Sequence, residues 1–155
     1  MRASLLAASL VVVGGAAAAS CAPDRVTVSG DWGQAAFRVA IADEPAERSR
    51  GLMFVEEMPM MVGMLFIYEA PQVASFSMMN TLIPLDMLFA DATGRIVTVH
   101  ENAVPLDRTS IPGGTDIQFV LEINGGMAGR LGIAPGDLLQ HPGIGALAAA
   151  PCPAG

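Results

Sequence analysis

The side chains best placed to do chemistry are Asp86 and His100, with Asn80, Thr81, Glu101 and Asn102 close by in sequence. A carboxylate beside an imidazole raises the ring's pKa and fixes its orientation, which suits a polar binding pocket or proton transfer. Their proximity is inferred from a turn. Asp91-Ala-Thr-Gly94 has Asp first and Gly fourth, the pattern of a type I turn in a three-residue hairpin with a bulge. Counting outward pairs Asp91 with Arg95, Phe89 with Val97, Met87 with Val99 and Leu85 with Glu101. The other face pairs Ala90 with Ile96, Leu88 with Thr98 and Asp86 with His100. Directly opposed residues have Cβ atoms ~4.5–5.5 Å apart, so this register predicts contact between Asp86 and His100. The same contact would equally serve as a structural hydrogen bond closing the open end of the hairpin. Asn80 and Thr81, ahead of Pro84, also suit local turn chemistry. Arg50 offers a cation to an anionic ligand, or a complement to the C-terminal end of a helix.

Methionine is the second concentration of chemistry. Met53, Met58, Met60, Met61, Met64, Met78, Met79 and Met87 all fall between positions 53 and 87. Thioethers with a histidine suit Cu(I), whereas in a core they fill irregular gaps. The spacing has no Met-x-x-Met regularity, and Met78 and Met79 would face opposite ways in a strand, so no metal site is assigned. Other chemistries lack their motifs. There is no Gly-x-Ser-x-Gly elbow, no Cys-x-x-Cys, and with no lysine neither a Walker loop nor a Schiff base. His100 and His141 alone do not make a His-rich zinc site. No cofactor is expected, and among hydrolases only a carboxylate-based one remains open.

These groups must be held by a domain of mostly β structure. Val26-Thr-Val and Ala36 to Ile41 are strand-like, and Met64 to Tyr68, Ala74 to Met79 and Leu85 to Ala90 are apolar runs of strand length. Arg95 to Glu101 follows. In Ile117 to Ile123, residues Ile117, Phe119, Leu121 and Ile123 alternate against Gln118 and Glu122, which predicts a polar second face. Asp43 to Gly51, with an early proline and a final glycine, predicts a short helix. Asn124 caps another through Arg130, and Leu138 to His141 is a final strand. The expected class is α+β, mainly β: a compact curved or barrel-like mixed sheet of short strands with two short helices. Residues 25–142 form the single globular domain. Residues 143–155, rich in Ala, Gly and Pro, read as a disordered tail.

Several stretches resemble the domain of unknown function 192 family: Arg50-Gly-Leu-Met53, Gly63-Met-Leu-Phe66, Asn80-Thr-Leu-Ile-Pro-Leu-Asp86, Ile96 to Asn102, Leu121-Glu-Ile-Asn-Gly125 and Leu131-Gly-Ile-Ala-Pro-Gly-Asp137. They run in order across nearly the whole domain. Ser77 and Met79, in Phe76-Ser-Met-Met-Asn-Thr81, depart from that family's usual Trp and Lys. The resemblance implies a compact β-rich domain, often exported, and no activity.

The N-terminus reads as a secretory signal over residues 1–21. Arg2 gives a positive start, Leu5 to Ala19 an apolar run too short to span a bilayer, and Ala16 to Ala19 the small residues that a signal peptidase requires. Two fates are open for Cys21. After Ala18, Ala19 and Ser20 it resembles a lipoprotein box, which would make it a lipid anchor; otherwise an oxidising compartment could join it to Cys152. All fifteen acidic residues and seven of the eight arginines lie beyond the signal. An acidic, lysine-free surface argues against nucleic acid and anionic membrane.

The sequence therefore predicts an exported, periplasmic or extracellular monomer that binds a small polar ligand or a cell-envelope component without catalysis. Its site would comprise Asn80, Thr81, Asp86, His100, Glu101 and Asn102, with Arg50. A hydrolase using Asp86, His100 and Glu101 as acid–base groups is one alternative, and a Met-rich Cu(I) protein is another.

Overall fold

The computed structural model describes residues 21–154. Nearly all of the predicted targeting segment lies outside them. The elements are β1 (Arg25–Gly30), β2 (Gly33–Ala42), α1 (Pro45–Arg50), β3 (Val62–Phe76), β4 (Leu85–Ala90), β5 (Ile96–Ala103), β6 (Ile111–Asn124), α2 (Met127–Leu131), β7 (Leu138–Gln140) and a 3-10 segment, Pro142–Leu147. The fold is mainly β with a few short helices, as the sequence predicts.

The seven strands form one sheet in the order β5-β4-β6-β3-β2-β1-β7. Neighbours run antiparallel, except that β2 and β3 are parallel and are joined through α1. The sheet curls until its edges meet. Arg95 bridges Leu138, the Ile96 N–H donates to the Asp137 carbonyl at 2.8 Å, and the Leu139 N–H donates to Gly94 at 2.8 Å. These contacts cover only the start of β5; the rest of its outer edge has no strand partner among the described residues.

Two apolar clusters occupy the two sides of this sheet. Val28, Phe37, Leu65, Leu88, Phe119, Leu121 and Leu139 build the first. Phe66, Met78, Met87, Phe89, Ile117 and Val120 build the second. The central strands β4 and β6 are therefore covered on both faces, which explains why all six residues of β4 are buried. The Met64 to Tyr68 and Ala74 to Met79 runs, expected as two strands, are largely one strand, β3. Register shifts around Gln72 bend it and expose its middle.

Helix α1 begins at a capping box in which Glu44 and Glu47 each accept a backbone N–H, with Pro45 in the first turn. Gly51 ends it at φ 50°. Gly126, not Asn124, is the N-cap of α2. The Asn124 amide instead donates to the Met58 and Pro59 carbonyls at 2.9 and 3.0 Å.

The segment expected to be a disordered tail is held to the domain as far as Cys152. Ile144 joins the first core cluster, the Ala149 N–H donates to the Thr93 carbonyl at 2.9 Å, and Cys152 is disulfide-bonded to Cys21. Of the two fates open to Cys21, this structure contains the paired one. His141 helps to fix the chain here. Its Nε2–H donates to the Pro23 carbonyl, and its Nδ1 accepts the Gly143 N–H, both at 2.9 Å. Burial holds the ring below its ordinary pKa, against the pull of the Pro23 bond, so His141 is a neutral structural residue.

Candidate functional site

The hairpin that was to join Asp86 to His100 has a different register. Ala90 pairs with Ile96, but Phe89 then pairs with Thr98, leaving Val97 as an extra residue. His100 consequently stands opposite Met87, and Leu85 opposite Ala103. Adjacent residues of a strand face opposite ways. Asp86 and His100 are therefore on opposite faces of the sheet and do not form the predicted pair. The cause is tertiary. The first bulge lets both Ile96 and Val99 pack against the first cluster, and a second one at Glu101–Asn102 turns the backbone, with Asn102 at φ 53°, toward Asp86.

Asp86 is fully buried, and its carboxylate is fully engaged. Oδ1 accepts the Asn102 and Gly126 N–H groups at 2.8 and 2.9 Å, and Oδ2 accepts the Ala128 N–H at 2.7 Å. Gly126 has no side chain with which to cap α2, and Asp86 supplies the cap from another strand. Its role here is structural. Glu101 is exposed, with Oε1 lying 2.8 Å from where a Cβ on Gly129 would sit. The Asn102 side chain lies against Gly125 and Gly126. Asn80 is exposed and left-handed at φ 55°, as turn chemistry allows.

One of several concavities among the described residues lies elsewhere, between the end of α1, β3, the 77–81 loop and β6. It has a volume of about 210 Å³. Of the predicted site residues, Arg50 and Thr81 line it; Asn80, Asp86, His100, Glu101 and Asn102 do not. Phe66, Phe76, Tyr68, Met53 and Met79 supply its apolar wall, and Ser49, Ser75 and Ser77 its hydroxyls.

Its floor contains a residue that the alternation of β6 had placed on a solvent face. Glu122 is only 4% exposed because β3 and β4 flank it: it stands directly opposite Met64 on one side and Met87 on the other. Among the described residues its carboxyl has no hydrogen-bond partner, and neither oxygen is sealed off from the cleft. Burial pushes its pKa up to about 8, so it is a protonated acid at neutral pH. The only sequence signal was its place in the apolar stretch Val120-Leu-Glu-Ile-Asn124, in which a carboxylate is unusual.

Arg48 organises one wall. It donates to the Asp43 carbonyl, to the Ile67 carbonyl at 2.9 Å and to Glu69 at 3.1 Å, and stacks 4.9 Å from the Tyr68 ring centroid. Burial raises the Tyr68 hydroxyl above its usual range, against the nearby positive charge of Arg48. Arg48 is thus committed to the protein. Arg50 makes no side-chain hydrogen bond among the described residues and is exposed at the cleft mouth.

The rim beside the cleft is strained. Phe54 and Leu106 both have φ 64°, a conformation that costs a bulky residue ~1–2 kcal/mol. Backbone bonds hold them there: Phe54 N–H donates to Asn80 at 2.8 Å and Leu106 N–H to Thr81 at 3.0 Å. Phe54, Leu82, Val104 and Leu106 are exposed along this rim. The methionines do not gather in one place. Met78 and Met87 are wholly buried, Met60 and Met61 are exposed, and Met53 and Met79 face the cleft. Among the described residues no cluster of three His, Cys, Asp or Glu is arranged to hold a metal ion.

Fold and site together define a curled seven-stranded β domain with one buried, unpartnered acid at the floor of a small cleft. The chain belongs to the DUF192 family, described as uncharacterized ACR, whose model matches residues 26–141. A crystal structure of a protein of unknown function from Novosphingobium aromaticivorans DSM 12444 is 40% identical, with a TM-score of 0.73, covering 85% of this chain and 99% of that one. A second, from Sinorhizobium meliloti 1021 and described as a candidate transcription regulator, is 39% identical with a TM-score of 0.76, covering 80% of this chain and 97% of that one. No curated protein matches the sequence.

Proposed function

We propose that this is an exported, non-enzymatic domain that binds a small polar ligand in the cleft above Glu122. One observation carries the reading: Glu122, a residue only 4% exposed whose carboxyl has no partner among the described residues, lines a cavity of about 210 Å³. The carboxyl opens into the cleft and has no protein partner among the described residues, so a bound ligand is free to supply its hydrogen bonds. Apolar walls with a few convergent polar groups are typical of small-molecule sites. Export is supported by the signal-like N-terminus and by the Cys21–Cys152 bond, since disulfides persist in oxidising compartments. Hydrolysis by Asp86, His100 and Glu101 has no shared concavity to support it. The regulator description attached to one relative finds no support in a lysine-free chain of net charge −7.

The test is a thermal-shift screen of the mature protein against amino acids, short peptides, sugars and cell-envelope fragments. At least one compound should raise the melting temperature of the wild type and not that of Glu122→Gln. Shifts identical in both proteins, or none in either, would remove the site.

A further inference from the structure

We infer that the ligand is a small zwitterion, whose ammonium group sits on Glu122 and whose anionic group meets Arg50; this rests on the cleft being the binding site. Charge complementarity carries the argument. The floor offers a carboxyl with no protein partner, and the mouth offers an arginine with none among the described residues. The other charged residue of the wall, Arg48, is already bonded to Ile67, Glu69 and the face of Tyr68. The cleft thus leaves one potential anion deep inside and one cation at its entrance. A free amino acid, a short peptide or an aminoalkyl phosphate has that pair of charges, and about 210 Å³ suits such a molecule. A neutral sugar would leave Arg50 without a counter-charge.

Binding an ammonium has a consequence that binding a hydroxyl does not. Burial raises the pKa of Glu122 to about 8 and so favours its protonated form at pH 7. A cation placed against it favours the ionised form, so the acid must release its proton as the ligand enters. Tyr68, Arg48 and Arg50 are the other titratable groups lining the cleft. The neighbours of Glu122 on β3 and β4, Met64 and Met87, do not titrate.

The experiment has two stages. The mature protein is screened at pH 7 by thermal shift against the standard amino acids, Ala-Ala and Leu-Leu dipeptides, phosphoethanolamine and glucosamine 6-phosphate, with N-acetylglucosamine and trehalose as neutral arms. The best hit is then titrated calorimetrically in buffers of different ionisation enthalpy. The expected result is a zwitterionic hit that releases about one proton at pH 7. Its N-acetyl form should bind at least tenfold more weakly, as should the hit itself to Glu122→Gln. Arg50→Ala should weaken binding of the hit but not of its amide or ester, which lack the negative charge. If neutral sugars bind through Glu122 without proton release while the zwitterions do not, the ligand class is wrong and the binding site stands. If no compound in either arm binds, both readings fail. A folded Glu122→Gln protein that binds the hit as tightly as wild type overturns the proposal.

Discussion

The Asp86 carboxylate accepts the Ala128 N–H at 2.7 Å, joining the core strand β4 to the first turn of α2. The same side chain takes the Asn102 and Gly126 N–H groups, so one buried residue fixes the β5 bulge and caps a helix that has no capping side chain of its own. Removing it would strand three backbone donors. Asp86→Ala should lower unfolding stability by ~3–4 kcal/mol. His100→Ala, on the other face, should cost under ~1 kcal/mol. The double variant should be additive within ~0.5 kcal/mol, as for residues that share no partner. Urea denaturation of the three variants measures this, and a coupling above that size would mean that Asp86 and His100 interact after all.

Glu122 gives stability a distinctive pH dependence. Its pKa is near 4.5 when unfolded and about 8 when folded. Between those values the native state keeps a proton that the unfolded state has lost, so stability falls as pH rises, by up to ~1.4 kcal/mol per pH unit. The contribution is complete below pH 4.5 and gone above pH 8. His141 acts in the opposite sense. With its folded pKa below the ordinary 6.5, it removes stability as pH falls through that value. The wild type minus Glu122→Gln difference, taken from pH 4 to 9, isolates the first effect. The variant should lose the downward slope and be the more stable protein at pH 8. Parallel curves would show that Glu122 is ionised in the native state.

Much of the fold was legible because local patterns set it. The apolar run from Leu85 to Ala90, broken only by Asp86, marks a strand covered on both faces, and Pro45 and Gly51 bracket α1 by backbone chemistry alone. Register was not legible. The Val97 and Glu101–Asn102 bulges depend on which side chains the first cluster accepts and on the approach of α2 to Asp86, contacts that no nearby residue announces. The site shifted for a related reason. Alternation correctly puts Glu122 on the face opposite Leu121, but whether that face meets water depends on Met64 and Met87 from other strands. Composition misled at the C-terminus, where long-range bonds from Cys152 and His141 order an Ala/Gly/Pro-rich segment.

The disulfide makes a direct prediction about the chain termini. Cys21 and Cys152 are separated by 131 residues, and closing so long a loop restricts the unfolded chain by up to ~5 kcal/mol, with ~2–4 typical of measured cases. Denatured mature protein should show no free thiol without reductant and two with it. Reductant should lower the melting temperature, and Cys152→Ser should do the same. A single titratable thiol, with added acyl mass on the N-terminal peptide, would indicate instead that Cys21 is lipidated.

The strained rim should trade stability against binding. Phe54 and Leu106 adopt φ 64° with side chains 62% and 58% exposed, so each meets a steric cost without full burial in return. Glycine takes that conformation without the Cβ clash, so Phe54→Gly and Leu106→Gly should each raise stability by ~0.5–1 kcal/mol. Such strain usually persists where the surroundings hold it for a purpose. Here Phe54 adjoins Met53, and Leu106 is bonded to Thr81; both Met53 and Thr81 line the cleft. The double glycine variant should therefore melt higher than wild type and bind the screened ligand more weakly, chiefly through faster dissociation, because the rim loses both its apolar surface and its rigidity. Thermal unfolding and stopped-flow dissociation on the same preparations decide it. A variant that melts higher and binds as well as wild type would show that the strain plays no part in holding the ligand.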